Sequence, residues 1–311
     1  RHRPHRVPGP ALGAVPPARP VGARPRTLAR ARVAARLRAL ATRPVAAAPD
    51  ARALLERLYP DDAAGSDGQK LACAMALTRA LGVISGGPGT GKTTTVARLL
   101  VMLAAAAAAE GRSLAIRLAA PTGKAAARVG EALAREVAAL ARSGQVAPQL
   151  LAQLPTSAQT LHRLLGAGSR GLRHDAANPL AADVVVLDES SMVDLRLLDA
   201  LLAALPRHAR LLLLGDRDQL AAVEAGNVFG ALCSRARGPS AQRAAELTAL
   251  TGLPIAGNDH DDPIADAIAV LLHSYRFDAA SGIGRFAEAV NAGDATRAAA
   301  VLAQRPGDLG S

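Results

Sequence analysis

Between positions 83 and 214 short apolar runs alternate with longer stretches of helical periodicity. The runs at 83–85, 114–119, 183–187 and 211–214 are rich in Val, Ile and Leu and read as strands. Strands that are apolar on both faces belong in a parallel sheet covered on both sides. Helical spacing predicts helices over 92–109, 124–141, 160–165 and 195–204, each following one of those strands or a loop. The succession strand, loop, helix predicts an α/β fold: a doubly wound parallel sheet with helices on both faces and right-handed crossovers.

The flanks are less regular. Residues 1–26 are low-complexity Pro/Arg/Gly sequence without periodicity and are expected to be disordered. A helix is predicted over 27–42, read as a remnant of an N-terminal domain, and a short one over 51–58. A loop rich in Gly, Asn and Asp after Gly252 is expected to mark a boundary, with a second unit starting near Pro263.

Composition sharpens this picture in four ways. Half of the 311 residues are hydrophobic but only 2% are aromatic, so the core must be built from Ala, Leu and Val. The net charge of +11 is local: residues 1–49 hold eleven Arg and no acid, which leaves 26 basic and 26 acidic side chains from Asp50 on. A basic arm of that kind binds phosphate backbones or stays solvated, and the interspersed Pro favours the solvated arm. Only three of the 37 basic residues are Lys, namely Lys70, Lys92 and Lys124, where a compact ammonium serves better than a planar fork.

Cys73 and Cys233 stand far apart with no further ligand at metal spacing, which argues against a disulfide scaffold or a zinc site. Buried free thiols in a reducing, cytoplasmic setting are expected. No secretory signal is visible in the first thirty residues, and the apolar run 96–109 is interrupted by Arg98 and too short to span a bilayer, so no membrane contact is expected. The first residue is Arg1 rather than Met, so the chain is expected to be a piece of a longer protein.

Three motifs carry chemistry. Gly86, Gly87, Pro88, Gly89, Thr90, Gly91, Lys92 and Thr93, followed by Thr94, match the P-loop pattern between a predicted strand and a predicted helix. Glycines let backbone N–H groups turn around phosphates, and the helix N-terminus adds its positive end. Lys92 is then expected at the β- and γ-phosphates of ATP, and the Thr93 hydroxyl on Mg²⁺. The second motif ends the run 184–187 with Asp188 and Glu189. Asp188 is expected to hold the magnesium and Glu189 to polarise the attacking water. The third runs from Leu211 through Gly215, Asp216, Arg217 and Asp218 to Gln219, whose amide is expected beside the γ-phosphate. In this order the three separate a helicase from a nucleotide kinase, which would also need a lid.

Further segments give a resemblance. Residues 118–128, 160–166, 188–192, 215–220 and Ser274-Tyr275-Arg276-Phe277 resemble the ordered motifs of the RecD family of superfamily 1 helicases, over about residues 66–291. The resemblance implies a RecA-like ATPase that drives 5′ to 3′ movement on single-stranded DNA during double-strand break repair. It implies that Gln69, just before the first core helix, reads the adenine edge, that Thr122, Lys124, Thr160 and His162 grip DNA, and that Arg276 reaches the γ-phosphate. It further implies RecB and RecC subunits and DNA ends as partners, with any nuclease site on a partner chain. The corresponding domains are a basic segment at 1–45, the ATPase domain at 46–262, and the start of a second motor domain at 263–311. Two other readings stay open: a free-standing helicase of the same family, and a non-catalytic fragment that only binds nucleotide or DNA. Asp259, His260, Asp261 and Asp262 are expected to form a solvated loop.

Overall fold

The computed structural model describes residues 25–60, 66–169, 171–219, 227–275, 281–291 and 293–304. Helices α1 (Pro25–Thr42), α2 (Ala51–Leu58) and α3 (Ser66–Leu77) lead into β1 (Leu81–Gly86) and α4 (Lys92–Ala109). Strand β2 (Ile116–Ala120) is followed by α5 (Gly123–Ser143), α6 (Pro148–Leu151), β3 (Gln159–Thr160) and α7 (Leu161–Leu164). Next come β4 (Val184–Leu187), α8 (Leu195–Ala204), β5 (Arg210–Gly215), α9 (Val228–Cys233) and α10 (Ala241–Thr251). The last elements are β6 (Ile268–Leu271), α11 (Gly282–Asn291) and α12 (Ala295–Ala303).

The six strands form one sheet in the order β3-β2-β4-β5-β1-β6, and every described pairing is parallel. Side chains alternate between its two faces, as a period of two requires. Ile84, Val184, Val186, Leu212 and Leu214 join one core with α2, α3, α4 and α10. Val83, Val185, Leu187, Leu211 and Leu213 join the other with α1 and α8. Each fully buried Leu or Val contributes roughly 1.5–3 kcal/mol, so a strand apolar on both faces has nowhere else to go. That is the arrangement the apolar runs predict.

Three expectations need correction. The helix over 25–42 is part of this domain: Val33 and Leu37 are buried on the sheet, and Arg32 and Arg36 both pair with Asp199 of α8. Its Arg-rich outer face hid an apolar stripe too narrow to signal docking. The sheet also runs past the boundary expected at Pro263, because β6 pairs with β1 in the register Val83↔Ile268. A four-residue strand after an acidic loop gives too short a signal to place. Finally, α4 is long and apolar enough to span a bilayer by length and composition, so length is no ground for setting it aside. Its apolar face is instead packed in the core through Leu99, Leu100, Val101 and Leu103. The expectation of disorder over 1–26 falls outside the described residues up to position 24.

Candidate functional site

The P-loop follows β1 at the carboxyl edge of the sheet. Gly89 and Gly91 both have φ of 80°, which an L side chain rarely adopts. Gly91 is doubly constrained, since a Cβ there would stand 2.0 Å from Gln69 Nε2. Thr90 is buried and its Oγ1 donates to the Gly87 carbonyl at 2.9 Å, which closes the loop on itself. Helix α4 begins at Lys92, so the N-terminus of an 18-residue helix faces the loop. The Lys92 ammonium donates to the carbonyls of Gly86 at 2.5 Å and Gly87 at 3.0 Å, holding a positive charge at the mouth of the loop.

A cavity of about 440 Å³ opens beside this loop. It gathers Gln69, Gly89, Thr90, Gly91, Lys92, Thr93 and Thr94 as the sequence predicts. Two of these behave differently from expectation. Gln69 lies inside the first turns of α3 rather than before it, is 5% exposed, and donates to the Thr90 carbonyl at 3.3 Å. It is thus a brace for the P-loop as well as part of the cavity wall. The Thr94 hydroxyl is turned to Glu136 of α5 at 3.0 Å, tying α4 to α5 rather than facing the loop.

Sequence reasoning missed six residues of this wall. Ser66, Arg98, Ala132, Arg135, Glu136 and Tyr275 line the cavity as well. The Arg98 guanidinium sits 4.5 Å from the ring centre of buried Tyr59, a cation–π contact that fixes its direction. Tyr275 arrives from the far end of the chain: its N–H donates to the Gly89 carbonyl at 2.9 Å, and Ser274 Oγ to the Pro88 carbonyl at 3.4 Å. The only sequence signal for Tyr275 was its place beside Arg276. Arg276 itself lies outside the described residues.

The carboxylates stand two strands away, with β5 between β1 and β4. Asp188 Oδ1 accepts from the Glu189 N–H at 2.9 Å. Burial pushes the Asp188 carboxyl above its usual range, the Glu189 charge adds to this, and the Glu189 N–H and Lys92 charge oppose it. Lys92 and Asp188 follow the carboxyl ends of β1 and β4 in the same sheet. Glu189 has φ of 51°, in the left-handed region where a non-glycine residue is strained. A 3-10 turn, Ser190–Met192, holds it there, with the Met192 N–H donating to the Glu189 carbonyl at 3.0 Å.

Gln219 follows β5 and receives a hydrogen bond from Ser191 Oγ at 3.0 Å on its Oε1. At Gly215, the end of β5, a Cβ would stand 2.9 Å from the Phe229 ring, so glycine admits that close packing. Asp188, Glu189 and Gln219 thus share the ends of adjacent strands, next to the cavity rather than within its wall.

The four residues expected on DNA occupy the opposite edge of the same sheet. Ala120 and Thr160 are register partners of β2 and β3, so the helices that follow start side by side. Thr122 caps α5 by accepting from the Ala125 N–H at 3.2 Å, and Thr160 caps α7 by accepting from the Arg163 N–H at 3.2 Å. Lys124 and His162 are exposed just beyond those caps. Elsewhere, Cys73 and Cys233 are buried and free, their thiols pushed up by burial to about 12 and about 11. His260 bonds the Gly238 carbonyl ahead of α10 and accepts from the Asp262 N–H, Asp262 pairs with Arg235, and the described residues hold no cluster of potential metal ligands.

A family profile described as an AAA domain matches residues 69–225, half of the chain, from Gln69 past Gln219. The RecBCD enzyme subunit RecD of Haemophilus influenzae is 41% identical over 258 residues, covering 82% of this chain and 40% of that protein. The subunit of the same name from Mycolicibacterium smegmatis is 43% identical over 268 residues, covering 85% and 41%. The ATP-dependent RecD2 DNA helicase of Deinococcus radiodurans is 42% identical over 154 residues, covering 50% and 18%. The chain therefore spans about two-fifths of the length of the RecD relatives.

Proposed function

Because this chain belongs to the AAA domain family, we propose that it is the nucleotide-binding half of a RecD-type DNA helicase motor. The observation that carries this reading is the convergence of Lys92, Asp188, Glu189 and Gln219 on the carboxyl ends of β1, β4 and β5. Ligands of open α/β sheets bind at that edge. The spread of similarity favours a RecBCD-type subunit over a free-standing helicase, since RecD relatives match 258 and 268 residues and the RecD2 helicase 154.

Mg²⁺ fits the donors present. Thr93 and Asp188 offer hard oxygens, and the buried Asp188 carboxyl lacks an opposing charge strong enough to offset its desolvation. The metal would supply charge neutralisation between the β- and γ-phosphates. The chain's own residues do the rest. Backbone N–H groups of Gly87 and of residues 89–92 and the α4 N-terminus bind the phosphates, and Lys92 exchanges its carbonyl partners for phosphate oxygens. Glu189 takes the proton of the attacking water, and its fixed backbone keeps that carboxylate from drifting. Gln219 donates to the terminal phosphate. Gln69, Arg98 and Tyr275 enclose the base end of the cavity.

Thr122, Lys124, Thr160 and His162 form the DNA-facing edge in this proposal, with single-stranded DNA and DNA ends as ligands. RecB- and RecC-type chains are the partners, and the cytoplasm the compartment. Arg276 reaches across to the γ-phosphate from the entry to a second motor domain. Ser274 and Tyr275 hold that entry on the P-loop, so Arg276 follows an anchored segment. An arginine of this kind is worth roughly 10³–10⁵ in rate. The test is hydrolysis by the chain alone and joined to its C-terminal continuation, with and without single-stranded DNA. The joined protein hydrolyses ATP faster with DNA, and Arg276→Ala suppresses this. Duplex unwinding by the 311-residue chain alone would refute the two-domain reading.

A further inference from the structure

We propose that Ser191 is a positioning residue that orients the Gln219 amide, and so decides which end of that amide meets the terminal phosphate. This deepens the nucleotide-site reading above and rests on it. Ser191 is 2% exposed, and its hydroxyl donates to Gln219 Oε1 at 3.0 Å. A side-chain amide has an accepting oxygen and a donating NH₂ group. With the oxygen engaged by Ser191, the NH₂ group is the end left to face an anion. Gln219 is itself exposed, and the terminal torsion of glutamine is broad and nearly two-fold. An unbraced amide would present oxygen or nitrogen almost equally, and an oxygen turned to a phosphate repels it.

The brace stands on a rigid support. Ser190 and Ser191 are adjacent but point in different directions. Ser190 Oγ donates back to the Leu187 carbonyl at 2.8 Å, securing the turn to the end of β4, and Ser191 reaches across to the loop after β5. The same turn fixes Glu189 at φ of 51°. Gln219 and the water-activating carboxylate are therefore joined through one short, buried piece of backbone. A change at Gln219 when the terminal phosphate arrives or leaves is felt at Glu189.

The experiment compares the affinities of the purified chain for ATP and ADP, both with Mg²⁺, in the parent, Ser191→Ala, Ser191→Thr, Gln219→Ala and the Ser191→Ala/Gln219→Ala double variant. Loss of one hydrogen bond is expected to cut the preference for ATP over ADP about 5-fold in Ser191→Ala, leaving ADP affinity unchanged. Ser191→Thr keeps the hydroxyl and restores the preference. The double variant equals Gln219→Ala alone, because the two residues act as one unit. A purely structural role would lower both affinities together and be additive, and that outcome overturns the proposal. So does an unchanged or increased ATP preference in Ser191→Ala, or a parent chain that binds both nucleotides equally. A parent chain that binds neither nucleotide refutes the nucleotide site itself. A parent that prefers ATP, with Ser191→Ala preferring it as strongly, refutes only the role of Ser191.

Discussion

The backbone N–H of Tyr275 donates to the carbonyl of Gly89 at 2.9 Å, so a segment from the far end of the domain is seated on the phosphate loop. It arrives there because β6 lies beside β1, and the chain leaving β6 emerges next to the loop leaving β1. The ring of Tyr275 is about half exposed, at 48%, which leaves it a free apolar face at the cavity. His273 packs edge-on against it with centroids 4.7 Å apart, limiting its rotation.

Tyr275→Ala removes that wall but keeps the backbone bond. Nucleotide affinity should fall about 10-fold, equivalent to about 1.4 kcal/mol, with little change in thermal stability. Titration calorimetry with ATP, ADP and free triphosphate checks it. The free triphosphate should bind the variant and the parent alike, because it lacks the base that Tyr275 faces.

The Asp188 carboxyl gives a pH dependence of defined sign. Its folded-state value is raised, chiefly by burial, so the folded protein holds this proton more tightly than the unfolded chain does. Ionised Asp188 therefore costs stability above the raised value, and that cost disappears as pH falls through it towards the usual carboxylate range. Asp188→Asn should raise the urea midpoint at neutral pH in the presence of a chelator. Protons compete with the metal for the same oxygen, so magnesium dependence of nucleotide binding should weaken across that same acidic window in the parent. Metal-dependent binding that is flat through it would show Asp188 to be no ligand.

The DNA-facing edge is tested by salt. Lys124 is exposed at the start of α5, beyond the Thr122 cap. Removing one phosphate contact should reduce the log–log slope of single-stranded DNA affinity against salt by about 0.7. Lys124→Ala is expected to do this, and deletion of residues 1–24 is expected to leave the slope unchanged. A larger deletion would not report on the arm, because Val33 and Leu37 of α1 are part of the core.

Legibility in the sequence followed the length and polarity of each signal. Helix α4 could be placed to the residue because a glycine loop fixes its start and Glu110 with the left-handed Gly111 its end. Strands β4 and β5 were readable because they are apolar on both faces. Helix α3 was anticipated only as something following Gln69, since it is buried almost all round and lacks a polar stripe to give it a period. Strand β6 was missed because four apolar residues carry too little pattern. At the site, Lys92, Asp188 and Glu189 were legible as motif residues, whose spacing is local. The contacts of Gln69 with Thr90, Tyr275 with Gly89 and Ser191 with Gln219 were not, because each depends on two segments meeting only once the sheet is assembled.

The central claim is that Lys92 and Glu189 serve successive steps at one ATP site, and separating binding from cleavage tests it most directly. ATP affinity and single-turnover hydrolysis should be measured on the parent, Lys92→Ala and Glu189→Gln. Lys92→Ala removes the charge that meets the phosphates and should abolish both hydrolysis and tight ATP binding. Glu189→Gln should bind ATP at least as well as the parent and hydrolyse it at least 100-fold more slowly, on the order of what a positioned general base contributes. Parental hydrolysis by Glu189→Gln, or ATP binding by Lys92→Ala equal to that of the parent, would contradict the account.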